Sequence, residues 1–245
     1  MPVRYGVLAD VHANEPALRA VLGDLDRQGV DGLLALGDLV GYGADPGPCL
    51  EAVAERATWV VAGNHDHAAA GLLDLAWFNP HARRAAAWTA DRLKADQTRY
   101  LAGLPLVVEM AGATLVHASP TEPGRWPYVV SAEEGRAALD AFRTPLCLIG
   151  HSHLPAAWVR ELDGGVEHRR GPHRVGLGDG ERALVSVGSV GQPRDGDPSA
   201  AYAVWDVDAG TVDLRRVPYD VREARQRIHA AGLPRLLGDR LLYGQ

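Results

Sequence analysis

The chain has 245 residues, 47% of them hydrophobic but only 6% aromatic, and its 25 basic against 31 acidic side chains leave a net charge of -6. Such a length and composition belong to a globular chain with room for one large core. The acidic balance argues against an extended nucleic-acid surface, which needs a concentrated basic stripe.

The first strand is expected at Tyr5 to Ala9, running into Asp10-Val11-His12. From Asn14 to Gln28 the spacing of Leu18, Val21, Leu22 and Leu25 is helical, and the chain returns at Gly32, which makes a parallel strand-helix-strand unit. The second strand, Gly32 to Leu36, stops at Gly37-Asp38. Tyr42 to Pro48 reads as a Gly/Pro-rich loop and Cys49 to Arg56 as a short helix. A third strand, Thr58 to Ala62, then ends in Gly63-Asn64-His65-Asp66. Residues 66–103 are a long helical excursion with segments at Ala68 to Ala76, Pro80 to Leu93 and Gln97 to Leu101. Starting directly after His65, it is expected to form a lid or wall.

Leu106 to Met110 and Thr114 to His117 read as a hairpin, Ala132 to Phe142 as a helix, and Leu146 to Ile149 as a strand ending in Gly150-His151-Ser152-His153. Beyond His153 the periodicity changes to twos, at Ala157 to Leu162, Val166 to Arg170, Ala183 to Val187, Ala201 to Val207 and Thr211 to Val217. This half is expected to form an antiparallel sheet that packs against the first half. A helix from Val221 to Ala231 and a tail containing Leu236, Leu237, Leu241 and Leu242 close the chain. Without repeats or linkers, residues 1–245 read as a single α/β domain of two stacked sheets with outer helices. No apolar stretch near the start is long enough for a signal peptide or membrane span. Cys49 and Cys147 offer no disulfide framework, so the expected setting is the cytoplasm.

Five strand ends thus deliver Asp10, Asp38, Asp66, Asn64, His12, His65, His117, His151 and His153 to one rim. Open α/β sheets place their ligands beyond the carboxyl ends of the strands. Neutral imidazole and carboxylate are the ordinary protein ligands of borderline divalent metals, and there is no thiolate cluster of the structural-zinc kind.

In order and content, Asp10-Val11-His12, Gly37-Asp38, Gly63-Asn64-His65-Asp66, His117 and Gly150-His151-Ser152-His153 resemble the motif set of the calcineurin-like metallophosphoesterases. Asn14 and the late run Gly188 to Arg194 are similar to the small bacterial phosphodiesterases of that superfamily. The resemblance implies a four-layer αββα sandwich of two mixed sheets. It also implies two divalent transition-metal ions (Mn, Fe, Zn, Ni or Co), one held by Asp10, His12, Asp38 and His153 and the other by Asp38, Asn64, His117 and His151. Asp38 would bridge them, and a hydroxide shared by the pair would attack phosphorus in line with the leaving oxygen. His65 would be the general acid, with Asp66 orienting or charging it. The implied substrate is a small phosphodiester, a nucleotide among the options, with Asn14 and Arg194 as candidate substrate contacts; duplex nucleic acid and membranes are not expected partners. The same site could serve a phosphomonoesterase or phosphoprotein phosphatase, and the fold also serves as a metal-binding interaction scaffold in a retromer subunit.

The remaining polar and aromatic residues carry weaker signals. His67 and His81 read as solvent-exposed, and the basic run His168, Arg169, Arg170, His173 and Arg174 as a solvated loop. Trp126 and Tyr128 could stack on a nucleobase or anchor their Pro-rich loop, and anchoring is the plainer reading.

Overall fold

The computed structural model describes residues 3–245. In chain order it opens with β1 (Arg4–Leu8), α1 (Glu15–Gln28), β2 (Gly32–Ala35), α2 (Pro46–Arg56) and β3 (Ala57–Val60). The excursion contains α3 (Asn64–Ala69), α4 (Pro80–Ala90) and α5 (Ala95–Ala102), followed by β4 (Val107–Met110), β5 (Ala113–Val116), α6 (Ala132–Leu139) and β6 (Leu146–Ile149). The remainder is β7 (Pro155–Arg160), β8 (Val166–Arg170), β9 (Arg174–Gly176), β10 (Arg182–Val187), β11 (Ala200–Asp206), β12 (Thr211–Val217), α7 (Val221–Ala230) and α8 (Arg235–Asp239).

Two mixed six-stranded sheets result, ordered β3-β2-β1-β11-β12-β9 and β4-β5-β6-β10-β7-β8. Apolar residues from both sheets, among them Val7, Leu34, Leu148, Val185 and Trp205, fill the space between them. Val21 and Leu25 of α1 and Val53 of α2 cover the outer face of the first sheet, and Leu139 of α6 covers that of the second. The expected αββα layering follows.

The strand partners differ from the expectation of one antiparallel C-terminal sheet. β11 pairs antiparallel with β1, at Gly6↔Val204 and Val7↔Ala203, so β11, β12 and β9 extend the N-terminal sheet. β10 lies parallel to β6 and antiparallel to β7. Alternation with period two fixes which side chains face a core but not which strand lies alongside. The basic run also differs from a plain loop, since it occupies the edge strand β8 and the start of β9.

Two element boundaries moved as well. In place of a helix over Ala68 to Ala76, α3 starts at Asn64 and ends at Ala69, and Leu75–Trp77 is a separate 3₁₀ turn. The left-handed Gly71 (φ 76°) breaks the helix, and the Asp74 carboxylate accepts from the Ala76 N–H at 2.8 Å to start the turn. α2 begins at Pro46, inside the expected loop, because proline costs nothing in a first helical turn. The tail packs on the excursion: Leu237 and Leu241 join Ala82, Ala85, Ala86 and Phe78 in a small separate core, whereas Leu236 is 53% exposed. Among the described residues no helix is long and apolar enough to cross a membrane.

Candidate active site

Sharp turns at the strand ends aim the polar side chains inward. Asp10, His12, Asp38, His151 and His153 all have positive φ (53°, 48°, 53°, 62° and 61°). Backbone of this kind costs a non-glycine residue of order 1–3 kcal/mol and persists only where the surroundings over-determine it. Here they do. The Asp10 and His12 N–H groups donate to the Gly37 and Asp38 carbonyls at 3.0 and 2.9 Å, tying the two loops together. Gly63 is required at the crossing, since a Cβ there would lie 2.0 Å from Asp38 Oδ1.

Hydrogen bonds then fix the direction of each donor atom. Nδ1 of His12, His117 and His153 donates to the carbonyls of Val40, Leu36 and Gln192 at 3.1, 2.6 and 2.6 Å. That arrangement makes Nε2 the metal-facing nitrogen of each ring: those of His12 and His153 face one another, and that of His117 faces His151 Nδ1. The carboxylates are divided in the same way. Asp10 Oδ2 accepts from the His151 N–H and Asp38 Oδ1 from the His65 N–H, at 2.9 and 2.8 Å, while Asp10 Oδ1 and Asn64 Oδ1 are buried with no hydrogen-bond partner.

These atoms form two abutting groups. In one, His12 Nε2 lies 3.1 Å from His153 Nε2, and Asp10 Oδ1 lies 3.6 and 3.2 Å from the same two nitrogens. In the other, His117 Nε2 lies 3.2 Å from His151 Nδ1. Asp38 Oδ2 stands between them, 3.7 Å from His12 Nε2 and 3.4 Å from His117 Nε2. Two nitrogens each about 2.0–2.1 Å from one cation would be about 2.9–3.4 Å apart, the spacing of both imidazole pairs. The orphaned oxygens, the facing lone pairs and the N/O donor set all fit divalent cations.

Burial and neighbouring charge set the protonation states. Burial pushes the His151 and His153 imidazoles down to about 3 and 4, which keeps them neutral as metal coordination requires. Burial acts the same way on His117, but the Asp38 carboxylate outweighs it and lifts that ring to about 9. The Asp38 carboxyl is held well below the usual carboxylate range: burial opposes this, and the surrounding imidazoles, His117 foremost, prevail.

A cleft of about 290 Å³ opens over Asp38, Asn64, His65, His151 and His153. The excursion supplies one wall through Leu73, Trp77, Phe78, Asn79 and Ala82, and the loop after His117 supplies another through Arg125, Trp126 and Tyr128.

The calcineurin-like phosphoesterase superfamily domain matches residues 3–210. The chain belongs to the calcineurin-like phosphoesterase superfamily. As a member it is a metal-dependent hydrolase of phosphoric esters. The chain is 35% identical to an uncharacterized protein of Methanocaldococcus jannaschii, over 98% of this chain and 97% of that one. A metallophosphoesterase of Sphaerobacter thermophilus superposes with a TM-score of 0.88 at 40% identity, covering both chains fully. A hypothetical protein of Pyrococcus horikoshii OT3 shares the fold at TM-score 0.79 and 21% identity, covering 99% of each chain.

Within this phosphoesterase, the sequence-derived candidates divide. Asp10, His12, Asp38, His117, His151 and His153 converge as described, Asn64 lines the same cleft, and three-residue groups able to hold an ion form at Asp10/His12/His153 and Asp38/His117/His151. His65 lies close enough to His12 and Asp38 to make a third such group. Its ring packs against Tyr42 and Phe78, at centroid distances of 4.4 and 4.8 Å, and burial holds its pKa well below the ordinary value. Arg194 lines the cleft and donates to Gln192 Oε1 at 2.8 Å.

Two of the site candidates, Asp66 and Asn14, have their polar atoms engaged by the surrounding backbone. Asp66 does not turn its carboxylate to the His65 ring; it accepts from the backbone N–H groups of Asp38, Leu39, Val40 and Gly63 at 2.8, 2.9, 3.3 and 3.0 Å. It is a positioning residue that clamps the Asp38 loop to the turn before Asn64. The Asn14 side chain is taken up by hydrogen bonds within the fold. Its Oδ1 caps α1 at the Ala17 N–H, and its Nδ2 donates to the Gly191 carbonyl and the Tyr219 hydroxyl, at 3.2, 2.8 and 3.2 Å. His67 is half-buried, edge-on to Trp126 at 5.5 Å, rather than solvent-exposed. Tyr128 stacks on His151 at 4.2 Å, an anchoring contact. Sequence reasoning passed over Tyr42 and Trp77, whose places in the cleft depend on distant loops meeting.

Proposed function

We propose that this phosphoesterase hydrolyses small phosphodiesters at a pair of divalent cations. Asp10, His12, Asp38 and His153 would hold one, and Asp38, Asn64, His117 and His151 the other. The observation that carries this reading is the placement of Asp38 Oδ2 within 3.7 Å of His12 Nε2 and 3.4 Å of His117 Nε2, one carboxylate oxygen shared by two clusters. Cations bound there supply charge neutralisation at phosphoryl oxygens and lower the pKa of a coordinated water toward neutrality.

The chain's own residues account for the remaining steps. Hydrolysis breaks a P–O bond and leaves an alkoxide that must gain a proton, and His65, which lines the cleft, would supply it. Buried and neutral in the free protein, the ring would take up a proton from solvent before giving one to the alkoxide, and a phosphodiester anion seated beside it favours that protonated form, because a nearby negative charge raises an imidazole pKa. Arg194 offers a guanidinium to the same anion. The walls from the excursion and the loop over residues 120–128 favour small esters over duplex nucleic acid, which demands many phosphate contacts along an open surface. Single-domain organisation is supported by both sheets drawing strands from both halves of the chain. Two free, buried cysteines fit a cytoplasmic setting.

A screen of diesters and monoesters with each of Mn²⁺, Fe²⁺, Co²⁺, Ni²⁺ and Zn²⁺ tests the proposal. Turnover of small diesters above the matching monoesters supports it. A monoester preference would move the protein to the phosphatase reading, and no turnover with any metal would favour a scaffold.

A further inference from the structure

The cleft wall carries a feature that phosphoester chemistry does not need. Trp77 is 83% exposed, and the turn that bears it is hydrogen-bonded from both sides. Arg83 of α4 donates to the carbonyls of Leu75, Ala76 and Phe78 at 3.1, 3.4 and 3.3 Å, and the Asp74 carboxylate caps the turn from the other end. An indole presented to water on a hydrogen-bonded turn is a large, amphipathic contact surface at the lip of the cleft.

Trp126 reaches the same cleft from the loop after His117, on the opposite wall. Its backbone is left-handed (φ 56°), and its ring is wedged edge-on between His117 and His67 at 5.8 and 5.5 Å. Asn79, also on the lip, uses its Oδ1 to cap α4 at the His81 and Ala82 N–H groups, which leaves its Nδ2 donors uncommitted beside the cleft. The ligand that matches such a lip has flat apolar faces and a polar edge, and the cleft floor requires a phosphate on the same molecule.

We infer that the cleft holds one nucleotide unit of a small phosphodiester, whose base, linked through its sugar to the reacting phosphate, stacks on Trp77, with Trp126 on the other wall and Asn79 Nδ2 donating to its edge. The phosphate end of this assignment rests on the phosphoesterase reading; the base end does not. Both aromatic walls bind any base by its π-face, so discrimination among bases falls to Asn79.

Calorimetric titration of the manganese-loaded chain with adenosine 5′-monophosphate and with ribose 5-phosphate, which lacks only the base, tests the assignment. Stacking on an aromatic side chain corresponds to about a 5- to 150-fold gain in affinity. The nucleotide is expected to bind tighter by a factor in that range. Trp77→Ala and Trp77→Leu should lower the ratio of the two affinities at least about fivefold, and Trp77→Phe should keep most of it. Trp77 is exposed, so these variants fold. A wild-type ratio near one, or a ratio that survives Trp77→Ala, overturns the proposal. So does binding of a single-stranded tetranucleotide about tenfold tighter than the mononucleotide, which would assign the cleft to nucleic-acid ends. Hydrolysis of base-free diesters together with a ratio near one would sink the nucleotide site alone. Preference for the nucleotide with no hydrolysis of any ester would sink the phosphoesterase reading and leave the site standing.

Discussion

Replacing Asp66 by asparagine separates its role in holding the backbone from any role in charging His65. The buried carboxylate receives two N–H groups on each oxygen, Leu39 and Val40 on Oδ1, Asp38 and Gly63 on Oδ2. An isosteric amide keeps only one acceptor oxygen, so whichever way it lies its NH₂ faces two backbone donors and two hydrogen bonds are lost. Bonds to a charged group contribute about 1.5–3 kcal/mol each, so the loss is about 3–6 kcal/mol. Burial, with the Asp38 charge next, pushes the Asp66 carboxyl up to about 7, which offsets part of the charged-group advantage and favours the lower end. About 3 kcal/mol lowers the Tm of a chain this size by about 6–12 °C. Differential scanning fluorimetry of metal-free wild type and Asp66→Asn would read it, alongside turnover of aryl and alkyl diesters. A Tm within about 2 °C of wild type, with activity lost only for poor leaving groups, would refute the clamp and restore Asp66 as the partner of His65.

Three further outcomes are expected. His65→Ala should keep its metal content while turnover falls about 10²- to 10⁴-fold for alkyl esters and much less for aryl esters, which need no proton; equal losses would make His65 a positioning group. Asn14→Ala should lower stability by about 2–3 kcal/mol, combining a lost helix cap with an unpaired Gly191 carbonyl, and leave KM within about twofold, whereas a large KM change at unaltered stability would return Asn14 to the substrate. Because His117 is raised to about 9 in the metal-free protein, it is protonated at pH 7 and must lose that proton to bind a cation. Calorimetry in buffers of different ionisation enthalpy should find about one proton released per chain at pH 7, with affinity rising up to about tenfold per pH unit toward pH 9; pH-independent binding would contradict the lifted pKa.

How far the sequence foretold this site depended on the kind of information each residue carries. Residues at strand ends were legible because a run of buried apolar residues ending in Asp or His states both where the strand stops and what it delivers, as at Leu36-Gly37-Asp38 and Ile149-Gly150-His151. Asn14 had a local signal as well, since an Asn before Glu15-Pro16 is a helix-cap pattern. Asp66 was not legible. Its neighbour in sequence is His65, but three of its four partners lie 26–28 residues away on the Asp38 loop, a relation that only the folded backbone defines. Trp77 likewise sits in a stretch without periodicity, and its position at the cleft follows from the Gly71 break and the Arg83 clamp. β9, three residues long, is too short to have a pattern.

The shared carboxylate is tested most directly by counting metals. Wild-type protein and Asp38→Asn, saturated with Mn²⁺ and freed of excess ion, would be assayed for bound metal by mass spectrometry. Wild type is expected to hold about two ions per chain and the variant to lose occupancy at both sites together, because Asp38 Oδ2 is the oxygen within reach of both His12 and His117. Two ions retained by Asp38→Asn, or one ion in wild type, would contradict the bridged pair.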